Sequence, residues 1–193
     1  MQIQYLIDHH FKTASYHKGS VIYEPGQHPR YVYFIKSGEV RMVTVNEDGK
    51  EFIQSVFKTN QYFGEPALLL GRPYLAYTIA SKDTELLLVD KAEFIKLIED
   101  HKDFSMELIY NLSDRLFYKS MMLEELGNEQ AEHRLITLIN HLGKDLSAGD
   151  ILNVTRQSLA DRSGLRVETV IRTIKKLEES GDLELFKGKI VKQ

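Results

Sequence analysis

The 193-residue sequence contains no cysteine, which excludes disulfide bridges, a cysteine-ligated iron–sulfur cluster and a thiol switch, and with them oxygen sensing by that chemistry. It has no apolar run long enough to cross a bilayer, so no membrane partner is expected. Residues 1–8 lack the basic-then-apolar layout of a leader, and the cytoplasm is the expected location. A catalytic constellation is also missing. Of the seven histidines, His9 and His10 are adjacent and so point apart, while His133 and His141 are spaced too widely on one helix to share a metal. With no nucleophile–base pair and no phosphate-cradling glycine loop, an enzyme is not expected. Nor is there a global excess of positive charge: the formal net charge is −3, which disfavours general adhesion to nucleic acid. A hydrophobic content of 42% suffices for two modest cores.

Positive charge is instead local. Between Arg156 and Lys176, six Arg or Lys residues stand against two acids. Residues 156–163 suit one helix, Gly164 can take the positive φ of a sharp helix-to-helix turn, and apolar periodicity then resumes at Val167, Val170, Ile171, Ile174 and Leu177. That stripe is expected to face a core, turning Glu168, Thr169, Arg172, Lys175 and Lys176 outward. Ala160 falls where the two helices approach closely, a packing position. A helix-turn-helix with a basic outer face points to double-stranded DNA as partner, against the alternative of an ordinary solvated helical hairpin.

Upstream, the runs 31–35, 39–45, 51–57 and 85–89 are rich in branched and aromatic residues and are punctuated by Pro25-Gly26, Ser37-Gly38 and Asp48-Gly49. An antiparallel β-domain follows. Asp48-Gly49 suits a type I′ turn that pairs 39–45 with 51–57, and Gly38 is explained as a turn glycine. The run 102–126 reads as one long helix with a seam at Ile109, Leu112, Leu116, Lys119, Leu123 and Leu126, the a/d spacing of a parallel coiled coil. A homodimer is preferred over a helix packed only on its own β-domain. Lys119 breaks the seam, so that it either reaches solvent along its methylene stem or meets an anion. Gly127-Asn128 interrupts this helix as a hinge, 129–142 returns to a helical pattern, and 183–191 suits a β-hairpin with Gly188 at its tip and Lys187 and Lys189 in reach of phosphate.

The segments Thr155-Arg-Gln-Ser-Leu-Ala160, Gly164-Leu-Arg-Val-Glu-Thr-Val-Ile-Arg172 and Lys176-Leu-Glu-Glu-Ser-Gly181 resemble the helix-turn-helix of the Crp/Fnr family of bacterial transcription regulators, and the resemblance extends through nearly the whole chain. It implies an α+β fold: an N-terminal antiparallel β-roll (double-stranded β-helix) sensor related to cyclic-nucleotide-binding domains over 1–100, a dimerisation helix and hinge over 101–127, and a winged helix-turn-helix over 128–193. It also implies a homodimer, with RNA polymerase as a further partner if the protein is an activator. Glu168 and Arg172 then correspond to the family's two main base-reading positions. Arg suits guanine O6 and N7 while a carboxylate accepts from cytosine N4, so a G·C pair is expected in each half-site. Val167 departs from the catabolite-activator type, which has Arg there, and suggests contact with a thymine methyl. Arg166 replaces the usual Ser or Thr cap, a loss of about 1 kcal/mol, and is free to meet a phosphate. Arg156, Gln157, Thr169, Lys175 and Lys176 complete the expected DNA-binding set. A plain i,i+4 salt bridge between Glu168 and Arg172 is the competing explanation.

The stretch Phe63-Gly-Glu-Pro-Ala-Leu-Leu-Leu-Gly-Arg-Pro-Tyr-Leu-Ala76 resembles the phosphate-binding cassette of cyclic-nucleotide receptors, with Gly64, Glu65 and Ala76 matching. Where the family pattern has an Arg and a Ser or Thr for the cyclic phosphate, this chain has Tyr74 and Leu75. Loss of those charge-assisted bonds, about 1.5–3 kcal/mol each, argues against cyclic AMP. Arg72 is the available substitute. In the family Lys119 and Ser120 face the effector pocket, and an acidic effector other than cyclic AMP is consistent with Lys119. No cofactor is required by the sequence. The expected function is therefore a dimeric DNA-binding regulator, and the competing one a receptor for a cyclic nucleotide or other anionic metabolite whose helical domain docks a protein.

Overall fold

The computed structural model describes residues 11–47, 49, 51–127 and 130–192. The expectations for residues 1–8, His9, His10, Asp48, Asn128 and Glu129, and for the side chain of Leu126, lie outside the described residues. The chain forms two compact units, Met1–Asn111 and Leu112–Gln193, and the division falls within one helix. The architecture is α+β, with an antiparallel β-roll in the first unit and a helix-turn-helix with a small sheet in the second.

In the first unit, strands β1 (Lys12–Tyr16), β8 (Thr84–Asp90), β3 (Tyr31–Ser37) and β6 (Tyr62–Phe63) form one antiparallel sheet, in that order. Strands β2 (Val21–Tyr23), β7 (Tyr77–Ala80), β4 (Glu39–Val45) and β5 (Glu51–Lys58) form the other. Side chains alternate across a strand, so Tyr33, Ile35, Leu86 and Leu88 join one core cluster with Tyr23, Val40, Phe57, Phe63 and Tyr74. Val32, Phe34, Leu87 and Val89 point the other way and are buried too. There the ring of Phe34 meets Phe94 of α2 (Lys91–Asp100) at 6.5 Å and Phe104 of α3 (Lys102–Gly127) at 6.1 Å. Cover on both faces accounts for the unbroken apolar run from Leu86 to Val89. Helix α2 begins with a reciprocal capping box, Asp90 accepting from the Glu93 amide and Glu93 from the Asp90 amide.

Strands β4 and β5 pair as expected, with Val45 opposite Glu51. The turn differs: the Gly49 amide donates to the Asn46 carbonyl at 3.0 Å, making Gly49 the last of four turn residues. A two-residue turn with successive positive φ occurs instead at Lys187 (φ 50°) and Gly188 (φ 76°). Gly38 is more than a turn residue. Its φ is 101°, and a Cβ there would lie 2.4 Å from Thr84 Oγ1 and 2.5 Å from the Asp83 carbonyl, so the close approach of β8 also requires glycine.

In the second unit, α4 (Ala131–Leu142), α5 (Arg156–Ser163) and α6 (Val167–Ser180) pack around Leu135, Leu138, Leu159, Ala160, Val170, Ile174 and Leu177. Strands β10 (Glu184–Phe186), β11 (Lys189–Val191) and β9 (Ile151–Leu152) make a three-stranded antiparallel sheet that closes this core with Leu152, Leu183 and Ile190. Arg134 of α4 spans two helix ends: Nε and Nη2 donate to the Glu125 carbonyl at 3.4 and 3.2 Å, and Nη1 donates to the Ser163 carbonyl at 3.4 Å. Nearby, the His141 ring stacks on Tyr118 at 3.7 Å between centroids, and Lys144 pairs with Asp114.

Candidate nucleic-acid interface and effector cassette

Helix α5 starts at Thr155, whose hydroxyl accepts from the Ser158 amide at 3.0 Å, and stops at Gly164, which takes φ 72°. That residue reverses the chain, and α6 begins three residues later. At 100° per residue, the side of α6 that contains Val170, Ile174 and Leu177 also contains Thr173. Thr173 is 5% exposed, whereas Ile171 is 52% exposed. The expected inward stripe is thus corrected at one position: Ile171 lies 100° from Val170, past the edge of the packed face, and Thr173 takes its place. Val167 is half-buried against the core cluster, as its place in the stripe implies, which turns it away from the thymine contact suggested by the resemblance, and Thr169, expected outward, is half-buried.

Arg166, Glu168 and Arg172 are exposed and form no ion pair among the described residues. The Glu168–Arg172 bridge offered as the plain explanation of that pair is therefore not made. Arg166 supplies no side-chain cap, as its type implies. The remaining basic groups are partly engaged within the chain. Lys175 lies 3.8 Å from Glu179 and Lys176 lies 2.7 Å from Glu132. Gln157 donates to Asp161 at 2.8 Å. Arg156 donates from Nη2 to the Gly188 carbonyl at 2.9 Å, which ties α5 to the β10–β11 turn, and burial lowers its pKa from the ordinary value. At that turn Lys187 lies over the Phe186 ring, 5.4 Å from its centroid.

The cassette-like segment builds α1 (Glu65–Leu70), a helix of six residues. Gly64 precedes it with φ 93°, and a Cβ there would stand 3.2 Å from the Tyr31 carbonyl. Glu65 is fully buried, while Arg72 is exposed. Tyr74 turns into the β-roll. Its ring stacks flat on Tyr23 at 3.5 Å between centroids, in the same cluster as Tyr33 and Phe63. Burial raises the Tyr74 hydroxyl pKa, and burial followed by the neighbouring Tyr16 pushes Tyr33 up to about 12. Ala76 is buried, and Leu75 between them is 88% exposed. A phosphate entering beside Tyr74 would thus meet stacked aromatic rings that stay neutral at physiological pH.

On α3 the residues expected at a seam are largely in water: Ile109, Leu116 and Leu123 are exposed, as is Lys119, and Leu112 is half-buried. Met106, Tyr110 and Phe117 are exposed as well, so the apolar stripe is centred further round the helix than the expected seam. Ser113 and Ser120 fall near its middle and Lys119 on its flank, an assignment that follows from 100° per residue. Among the described residues no helix is long and apolar enough to cross a membrane.

Residues 13–101 match the model of the cyclic nucleotide-binding domain, and residues 133–192 match the Crp-like helix-turn-helix domain. The chain belongs to the Crp/Fnr family. It is similar to the global nitrogen regulator of Synechocystis, 27% identical over 92% of this chain and 83% of that protein. It is also similar to the cyclic AMP receptor protein of Thermus thermophilus, 28% identical over 94% of this chain and 83% of the other. Among solved structures, a CooA variant from Carboxydothermus hydrogenoformans superposes with a TM-score of 0.79 at 22% identity, covering 98% of this chain and 85% of that one, a likeness of fold. Within the Crp/Fnr family this chain is a DNA-binding transcription regulator with a β-roll of the cyclic-nucleotide-binding type.

Proposed function

We propose that this Crp/Fnr regulator acts in the cytoplasm as a homodimer that reads a two-fold symmetric site through Glu168 and Arg172 of each α6. The observation that carries the reading is the unpaired state of these two charges among the described residues, one helical turn apart on an exposed face. Charged groups kept free of each other retain their full hydrogen-bonding capacity for base edges. Arg172 grips guanine and Glu168 accepts from cytosine N4, each contact discriminating by roughly 1–3 kcal/mol. Arg166, Lys187 and Lys189 meet backbone phosphate, and Arg156 holds the wing rather than a base. The exposed stripe on α3 supports dimerisation, since a partner helix would remove Met106, Ile109, Leu116, Phe117 and Leu123 from water. Two-fold symmetry then sets half-sites about 34 Å apart. RNA polymerase becomes a further partner if the protein activates.

The effector, on this reading, is not cyclic AMP. Tyr74 occupies the position of the guanidinium in the family pattern, and Leu75 supplies no hydroxyl. An anionic metabolite engaged by Lys119 is the remaining effector proposal. The test combines selection of bound duplexes from random DNA, with and without cyclic AMP, and repetition with Arg172→Ala. Wild type should select one symmetric sequence whether or not cyclic AMP is present. The variant should lose sequence preference while keeping weak, salt-sensitive binding. An unchanged preference in the variant overturns the role of Arg172, and a site selected only with cyclic AMP overturns the effector reading.

A further inference from the structure

We propose that Ile171 is a base-specificity residue that packs on the C5-methyl of a thymine in each half-site. The inference rests on the DNA-reading role of α6 stated above and adds a position that periodicity alone assigns to the core. Three observations carry it. Ile171 is 52% exposed on the same helix that buries Val170, Ile174 and Leu177. It lies three residues after Glu168 and immediately before Arg172, and side chains three apart are neighbours on a helix surface. It is also the only aliphatic side chain among the exposed residues of α6, whose other exposed positions are Glu168, Arg172, Lys175, Lys176, Glu178, Glu179 and Ser180.

The exposed half of a branched aliphatic group gains nothing for the fold, and β-branching lowers helix propensity slightly. What sets this residue apart is its place between two base-reading charges, where it offers an apolar group to whatever they meet. The major groove displays a single apolar group on the base edges, the thymine methyl, beside the donors and acceptors that Glu168 and Arg172 suit. The tilt of helical side chains toward the N-terminus aims Ile171 at the turn that bears Glu168. The thymine contact expected from the sequence at Val167 thus passes to its neighbour one turn on, because Val167 packs against the core.

Deoxyuridine in place of thymidine removes only the methyl, which makes the test direct. Starting from the duplex selected by wild type, each thymine is replaced singly and then in symmetric pairs. Binding is measured for wild type and for Ile171→Ser. At one thymine per half-site, wild-type affinity should fall about four-fold for one replacement and about fifteen-fold for the pair, the size of one buried methyl at each. Ile171→Ser should bind the thymine and uracil duplexes equally at that position, with a urea midpoint close to that of wild type because half of the side chain is already exposed. Equal loss in wild type and variant, or no thymine at which the methyl matters, overturns the proposal. If Arg172→Ala abolishes preference while uracil is tolerated everywhere, only the Ile171 assignment falls. If wild type selects no sequence at all, the reading of α6 falls and this inference with it.

Discussion

Replacing Arg134 by Ala should loosen the second unit by about 2 kcal/mol. Its guanidinium makes three bonds of 3.2–3.4 Å to two carbonyls, Glu125 near the end of α3 and Ser163 at the end of α5. Carbonyls in the last turn of a helix have no partner within that helix and carry the negative end of its dipole. A typical bond contributes about 0.5–1.5 kcal/mol and those to a charged donor more, but the lengths here put each toward the low end of the range. Three such bonds give roughly 1.5–2 kcal/mol, and the favourable placement of a cation at two helix ends adds about 0.5 kcal/mol. Urea unfolding followed through the helical signal measures the loss. Arg134→Lys keeps the charge at one point and cannot span both carbonyls, so it should recover about half. The same bonds orient α5 relative to the end of α3, and DNA affinity should therefore fall in Arg134→Ala while Lys restores part of it. A variant within about 0.5 kcal/mol of wild type, or one whose affinity is lost equally in the Lys variant, would refute the reasoning.

Two further changes test the folded units separately. Burial and then the neighbouring Lys144 lower the His141 pKa below its ordinary 6.5. The unfolded chain consequently takes up the proton first, and stability that is full above about pH 6.5 is lost as pH falls toward the lowered folded value. His141→Phe keeps a ring against Tyr118 and should flatten the urea midpoint between pH 7.5 and 5.5, and a slope as steep as that of wild type sinks the assignment. Gly38→Ala combines a positive φ with a Cβ 2.4 Å from Thr84 Oγ1, and about 3 kcal/mol of destabilisation is expected by urea unfolding. A loss below about 1 kcal/mol would mean that β8 can move aside.

Local signals carried the second unit. Gly164, the bounds of α5 and the wing turn at Gly188 were legible because a positive φ and a 3.6-residue period leave their mark on neighbouring residues. The paired runs of β4 and β5 were legible from their branched and aromatic content, although the turn that joins them was not. Helix α2 was missed, although Asp90 and Glu93 stand at the spacing of a capping box and could have revealed it. Strands β1, β2, β6 and β7 were missed because each is five residues or fewer and takes its register from a partner distant in sequence. Ile171 and Thr173 were exchanged because hydropathy ranks an isoleucine above a threonine, whereas rotation about the helix axis puts Thr173 nearer the middle of the packed face. The cassette was half legible. The sequence reveals the missing Arg, but Tyr23, Tyr33, Phe63 and Tyr74 come from separate elements, and only folding stacks them together.

The bond from Arg156 to the carbonyl of Gly188 joins a side chain to backbone, so the wing is held in place whatever residues decorate it. Lys189 is then free to be exchanged over evolutionary time, and Lys187 for any residue that tolerates its positive φ, without turning the helix beside them. A lineage carrying this anchor could retune how tightly it clings to any duplex, or how quickly it slides along one, while its choice of operator stays the same.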